Sequence, residues 1–264
     1  MKHMSIKDKL YYEKSIMNYC SGMPELCILH RFIDYNKNIV DVGAHDGTLS
    51  YYFSKFISPD NKVYPFEPNE ECFYDLKKLW TITTKVSYPW FKVALSNVNV
   101  EESVLYTPIR KQGNIPALGL SSLHEEWINN FDKSIQDAFE ANKIKSTIAL
   151  RRLDDISVSN IGFIKIDVEG HEMQVLEGAE NVLRSNKPVM IVEIFAGDVK
   201  GKIETIEEKY NYKSFYYTKS YSVKHALFPG HDFSTMRYMM RKDNATNNII
   251  FLPKENYQEY LDRC

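Results

Sequence analysis

Cysteine is scarce in this 264-residue chain, and the four present, Cys20, Cys27, Cys72 and Cys264, form no CxxC pair. Neither a zinc site nor a disulfide scaffold is therefore expected, and a reducing, cytoplasmic setting fits best. Charge of one sign is missing too: 33 Lys+Arg stand against 35 Asp+Glu, a net charge of −2. That balance argues against coating nucleic acid or an anionic membrane by bulk charge, although a local basic patch stays open. No apolar run approaches the ~20 residues that cross a bilayer. The longest, Val189 to Ala196, is interrupted by Glu193 and reads as a buried strand. The opening MKHMSIKDKL has no apolar stretch, so no signal peptide is expected. Repeats, low-complexity tracts and Pro/Gly-rich linkers are also lacking.

What is present suits a folded enzyme-sized domain. Hydrophobic residues make up 44% and charged residues 26%, enough to bury a core. Residues 1–37 read as a helical preface, and 38–264 as one domain. From Asn38 to Glu193, strand-like and helix-like runs alternate, the signature of βαβ units and a parallel sheet. Asn38–Gly43 is the first strand. Leu49, Tyr52, Phe53, Phe56 and Ile57 then share one helical face, and Ser58-Pro-Asp-Asn61 stops that helix. Lys62–Phe66 is the second strand. Asn69 is placed to cap a helix that carries Cys72, Phe73, Leu76 and Leu79 inward. Phe91–Leu95 reads as a third strand. Residues 97–146 break the rhythm as an insertion or lid, with an extra strand near Glu102–Ile109 and a polar helical stretch over Glu125–Lys145. Gly162–Val168, a single helix over Glu172–Ser185, and Pro188–Ile194 resume the alternation. Lys213–Tyr217 and Asn248–Leu252 are expected to close the sheet as an antiparallel pair.

Three motifs carry chemistry. The first is Val40-Asp-Val-Gly-Ala-His-Asp-Gly47, where a strand gives way to a helix and the glycines permit a sharp turn beside a ligand. It is neither GxGxxG nor a phosphate-cradling GxxxxGK[ST]. The second is Glu67, 24 positions after Gly43, an acid at a strand end that can accept hydrogen bonds from both ribose hydroxyls. The third is Lys165-Ile-Asp-Val-Glu-Gly-His-Glu172. It gathers Asp167, Glu169 and His171 at the functional edge of the sheet, and Gly170 makes a turn there. Asp167 is placed to face a cofactor crevice, and His171 is a candidate general base. The same cluster, with Glu193 and His45, offers oxygen and nitrogen ligands, but its spacing matches no metal motif, so a divalent metal is possible and not favoured.

The set VDVGAHDG, FEP, SSL, LDD, IKIDVEGHEMQVLEGA and KPVMIVEI resembles the FkbM family of S-adenosylmethionine-dependent methyltransferases. The likeness spans roughly Asn38 to Ile194, with Asn248–Pro253 resembling the last strand. It implies an α/β, class I methyltransferase (Rossmann-like) fold, a seven-stranded, mostly parallel sheet with helices on both faces. By the resemblance, Asp41, Gly43, Ala44 and Gly47 hold the methionine part of the cofactor. Glu67 binds the ribose. Leu95 and Ser96 follow the third strand, where the adenine is held. Asp167, Glu169 and His171 belong to the strongest motif, with Asp167 also facing the cofactor. Ser121, Ser122 and Glu193 are expected on the substrate side.

The expected activity is S-adenosylmethionine-dependent O-methylation of a sugar or other small hydroxylated metabolite, with His171 or Asp167 as base. The acceptor is therefore a small molecule or a glycan. Methylation of RNA ribose is the alternative enzyme reading, through Arg151-Arg152 and Arg237–Lys242, which read more simply as solvated surface. A non-catalytic cofactor-binding module is the alternative of another class. Phe215, Tyr216, Tyr217, Tyr221 and Phe228 are candidates to stack on a sugar ring.

Overall fold

Residues 161–166, Ile-Gly-Phe-Ile-Lys-Ile, are buried at every position and form an inner strand of a six-stranded sheet. The structure, a computed structural model, describes residues 32–73, 90–194, 197–216 and 248–262. The strands are β1 (Asn38–Val42), β2 (Val63–Phe66), β3 (Ala94–Leu95), β4 (Val100–Arg110), β5 (Ile115–Pro116), β6 (Phe139–Arg151), β7 (Ile161–Ile166), β8 (Val189–Glu193), β9 (Tyr212–Tyr216) and β10 (Asn248–Pro253). The helices are α1 (Thr48–Phe53), α2 (Lys133–Gln136), α3 (Glu172–Glu177), α4 (Glu180–Asn186), α5 (Val199–Lys209) and α6 (Tyr257–Asp262).

The main sheet has the order β2-β1-β7-β8-β10-β9. β1 pairs in parallel with β2 and β7, and β7 with β8. β10 runs antiparallel to β8 and to β9, so the expected closing pair of the tail is present. Strands covered on both faces read as unbroken apolar runs. Val40, Val42, Ile164, Ile166, Met190 and Val192 accordingly pack with Val175, Leu176, Val182 and Ile206 of the helices in one core.

The expected seventh strand is reduced to one parallel bridge, Phe91 to Phe66, held by Phe91 N–H to the Pro65 carbonyl at 3.0 Å and Glu67 N–H to the Phe91 carbonyl at 3.1 Å. The rings of Phe66 and Phe91 stack at 4.6 Å. The chain then leaves the sheet, because Ala94 and Leu95 pair with Leu150 and Arg151 in a second sheet of order β3-β6-β4-β5.

That second sheet is the insertion, and it corrects the helical reading of Glu125–Lys145. β4 and β6 form a long antiparallel hairpin, with Ser103 opposite Ile148 and Leu105 opposite Ser146. Helical residues here amount to a 3-10 turn at Trp127–Asn130 and the single turn α2. The Lys, Glu and Ala of this stretch favour helix locally. Cross-strand pairing and the burial of Ile148 and Leu150 against Leu105 outweigh that preference. The expected single helix over Glu172–Ser185 is likewise two, α3 and α4. The chain breaks at Gly178, whose Cα lies so close to Ser96 that a Cβ would fall 1.9 Å from the Ser96 carbonyl oxygen. Its five inward residues, Val175, Leu176, Ala179, Val182 and Leu183, are buried as expected. Asp154 caps α4, accepting from Asn181 and Val182 N–H at 3.0 Å. Asn69 caps its turn, accepting from Glu71 N–H at 3.1 Å. Leu76, Leu79 and most of the expected preface lie outside the described residues. No helix among the described residues is long and apolar enough to cross a membrane.

Candidate functional site

The carboxyl ends of β1, β2, β7 and β8 open into one cavity of about 370 Å³, roofed by the insertion. That volume falls within the usual range for small-molecule sites. Gly43 makes the turn after β1 at φ +73°. Its Cβ position would lie 1.7 Å from the Asp167 carbonyl oxygen, so only glycine brings the two strand ends this close. Gly43 and Ala44 N–H both donate to the Phe66 carbonyl, at 2.9 and 3.1 Å. The turn is thereby laid across the end of β2. There Glu67 accepts from His45 N–H at 3.0 Å and Asn69 N–H at 2.9 Å. Burial pushes the Glu67 carboxyl up to about 7, against the pull of those two N–H groups.

Beneath this edge sits a buried ionic cluster. Lys165 is 6% exposed, in the middle of an apolar strand. Its Nζ lies 3.0 Å from Asp167 Oδ2 and 3.9 Å from Asp41 Oδ1. Ser50 of α1 donates its hydroxyl to the other oxygen of Asp41. Burial raises the Asp41 carboxyl above its ordinary value, with Lys165 opposing. Burial works on Asp167 in the same direction, but Lys165 and a hydrogen bond with Glu193 prevail and hold it below the usual range. Glu193, half-buried and facing the Asp167 charge, is pushed up to about 9.

Glu169 follows in a left-handed conformation, φ 52°. Burial first, and the Asp167 charge second, raise its carboxyl to about 7, while the Trp127 indole N–H opposes the rise. Asp167, Glu169 and Glu193 each offer a carboxylate oxygen, all within 4.8 Å of one another, a grouping able to hold a cation. His45 and His171, the nitrogen donors suggested by the sequence, are not in that grouping. His171 Nε2 lies 3.0 Å from Ser96 Oγ, while Nδ1 is buried without a hydrogen-bond partner. Burial, with a minor contribution from His124, lowers its pKa to about 4.

Ten of the candidate residues line the cavity: Gly43, Ala44, Glu67, Leu95, Ser121, Ser122, Asp167, Glu169, His171 and Glu193. Asp41, Gly47 and Ser96 do not. Asp41 anchors α1 and Lys165 from below, Gly47 starts α1 at φ 67°, and Ser96 backs His171. The hydroxyls of the two lining serines are engaged by protein. Ser121 bonds Thr107 Oγ1 and the Leu118 carbonyl, and Ser122 donates to the Glu169 carbonyl at 2.7 Å. Lys165 and Trp127 are further side chains engaged at this edge that the sequence did not single out. A lysine amid buried Ile and Phe was a readable sign of a buried counter-charge. Trp127 gave no local sign, since its partner lies 42 residues away. Of the expected stacking aromatics, Phe215 packs on Tyr257 at 6.4 Å, and Tyr217, Tyr221 and Phe228 lie outside the described residues. So does Arg237–Lys242. Arg151 pairs with Glu101, and Arg152 with Asp154 and Asp155.

The parallel strands β1 and β2 end in a glycine turn and a buried acid at one sheet edge, a Rossmann-like arrangement. The chain belongs to the FkbM methyltransferase family, whose domain profile, "Methyltransferase FkbM domain", matches residues 41–244. "Methyltransferase sdnD" of Sordaria araneosa is 24% identical over 193 residues, covering 66% of this chain and 70% of that one. Among solved structures, the crystal structure of methyltransferase FkbM from Methylobacillus flagellatus KT aligns with a TM-score of 0.47 and 14% identity, over 83% of this chain and 44% of that one. This chain thus matches less than half the length of that structure. A putative rRNA-methylase structure from Clostridium thermocellum aligns with a TM-score of 0.43 and 7% identity, over 86% and 91% of the two chains.

Proposed function

We propose that this methyltransferase uses S-adenosylmethionine to O-methylate a sugar or another small hydroxylated metabolite. One observation carries the reading: the Gly43 turn, Glu67 and the carboxylate group of β7 and β8 face a single cavity. The donor and acceptor sets fit the cofactor. Gly43 and Ala44 would lie along its methionine part, Glu67 would accept from its ribose hydroxyls, and Leu95 would cover its adenine. When bound, S-adenosylmethionine supplies an electrophilic methyl group.

The chain's own residues then have two tasks. The cavity walls hold the acceptor hydroxyl in line, since alignment supplies much of the catalysis in a displacement. A base accepts the hydroxyl proton as the new bond forms. Glu169 fits that role best, because it lines the cavity beside Asp167 and burial raises its carboxyl to about 7. Asp167 is tied to Lys165. His171 has Nε2 committed to Ser96 and, at about 4, is a weak acceptor. The acid partners of Arg151 and Arg152 speak against an RNA-binding face.

Calorimetric titration with S-adenosylmethionine and S-adenosylhomocysteine, beside Glu67→Ala, tests the cofactor assignment. Micromolar-range binding that the variant loses supports it and justifies a screen of hydroxylated acceptors. Absence of binding by folded protein overturns it in favour of a non-catalytic module.

A further inference from the structure

A second cavity, of about 640 Å³, opens beside the first, and Pro68 and Leu118 line both. Leu118, in the 3-10 turn Leu118–Leu120 of the insertion, packs with Ala44, Cys72 and Trp90 and lies on the boundary of the two spaces. A hydroxyl pair continues that boundary. Thr107 lines the outer cavity and Ser121 the inner one, with their side-chain oxygens 2.8 Å apart. The β4–β6 hairpin spans both spaces: Leu105 lines the inner cavity, while Ser146, directly opposite it, lines the outer. At about 370 Å³ the inner cavity is near the small end of the roughly 300–1,000 Å³ that ligand sites occupy. Once filled by a cofactor of nucleoside-plus-amino-acid size, it has room for the reacting end of an acceptor. The remainder of a longer acceptor finds its continuation in the outer cavity.

The outer lining is polar without being cationic. Glu70 and Glu71 contribute carboxylates, and Lys92 is paired with Glu70. Among the described lining residues, acids thus outnumber cations, which disfavours a phosphorylated or sulfated occupant. The hydroxyls of Ser146 and Thr147 make no hydrogen bond to a described residue. A purely aliphatic or aromatic occupant would strip these groups of water and give them nothing in return. A sugar ring meets both demands. Its hydroxyls donate to the carboxylates and exchange hydrogen bonds with Ser146 and Thr147. Its C–H face finds apolar contact at Leu118 and at Ile144, a lining side chain left 40% exposed.

We propose that the outer cavity is a subsite for the part of the acceptor that is not methylated, and that it holds an uncharged sugar ring. The acceptor is then a neutral glycan of two or more rings, with one ring reaching past Leu118 toward the cofactor. The catalytic meaning of this rests on the methyl-transfer reading above, but the subsite itself is tested by binding alone. The probe is a printed array of neutral and anionic mono- to hexasaccharides, exposed to labelled full-length protein with and without S-adenosylhomocysteine.

Neutral glycans of two or more rings should be retained, and titration in solution should show them binding at least about tenfold more tightly than the matching monosaccharide and than phosphorylated or sulfated counterparts. Thr147→Trp, which places a large ring in the outer cavity from an exposed strand position, should remove that advantage while S-adenosylhomocysteine affinity stays within about twofold. Ile144→Trp, from the facing side of the same strand, should do the same. Retention of no glycan, equal affinity for one ring and for several, or preference for the anionic members overturns the proposal, and these results decide even if neither variant folds. Folded variants that both keep the advantage overturn it too. Cofactor binding without a length preference refutes the subsite and leaves the methyl-transfer reading standing. A length preference abolished by Thr147→Trp, in protein that binds no cofactor, refutes methyl transfer and leaves the subsite standing.

Discussion

Replacing Lys165 by methionine removes a charge and keeps most of the side chain's length and apolar contact. At an effective dielectric constant of about 20, pairs at the separations seen for Asp167 and Asp41 attract by roughly 4–6 kcal/mol each. In the native protein, desolvation of the three groups offsets most of that gain. The variant keeps Asp41 and Asp167 desolvated and loses the attraction. Breaking a buried pair costs about 3–5 kcal/mol. Asp41 is fully buried, but the Asp167 side chain is 31% exposed and partly screened by water. The expected loss is therefore about 3 kcal/mol at neutral pH.

The sign with pH follows from the same pair. Lys165 holds Asp167 below its ordinary value, so that stabilisation is complete above about pH 4, the unfolded value, and fades as acid protonates the native carboxylate. In the variant the unpaired carboxyls take up protons earlier, and the gap to wild type narrows on acidification. Urea unfolding followed by tryptophan fluorescence, at about pH 7.5 and pH 4.5, measures both effects. Lys165→Met/Asp167→Asn should recover at least about 1 kcal/mol. A neutral-pH loss below about 1 kcal/mol, or one equally large in acid, refutes the reasoning.

Three further outcomes are expected. Glu169→Gln should lower kcat by about 10²–10⁴-fold while cofactor affinity stays within about twofold, and unchanged turnover would remove Glu169 as the base. Accepting from ribose hydroxyls favours ionised Glu67, which burial holds at about 7, so cofactor binding near neutrality should release protons. Binding enthalpies measured in buffers of different ionisation heat would then differ for wild type and agree for Glu67→Gln; agreement in both removes the ribose role. Gly43→Ala forces a Cβ to within 1.7 Å of the Asp167 carbonyl at φ +73° and should break the Asp167 N–H to Val42 carbonyl bond. A destabilisation above about 3 kcal/mol is expected, and an unshifted urea midpoint contradicts it.

The parallel strands were legible because burial on both faces leaves unbroken apolar runs, as in Ile161–Ile166 and Val189–Glu193. The glycine turn and Glu67 were legible because their spacing reflects one βα unit. The β4–β6 hairpin was not, since Phe139–Arg151 is rich in residues whose local preference is helical and whose strand state depends on a partner some 40 residues earlier. The break at Gly178 depends on Ser96, and the aim of Glu169 depends on Trp127. Neither contact leaves a periodic trace in the segment it acts on.

The insertion enters and leaves at adjacent points, where Ala94–Leu95 pair with Leu150–Arg151. Everything it contributes to the cavity, from Leu105 to Leu123, lies in one uninterrupted stretch of chain, whereas the Gly43 and Glu67 edges lie outside it. Under the proposed reading, acceptor choice is a cassette closed at its base by a two-residue clasp. Such a segment can be exchanged between relatives by a single replacement, and a new acceptor acquired, with the cofactor half inherited intact.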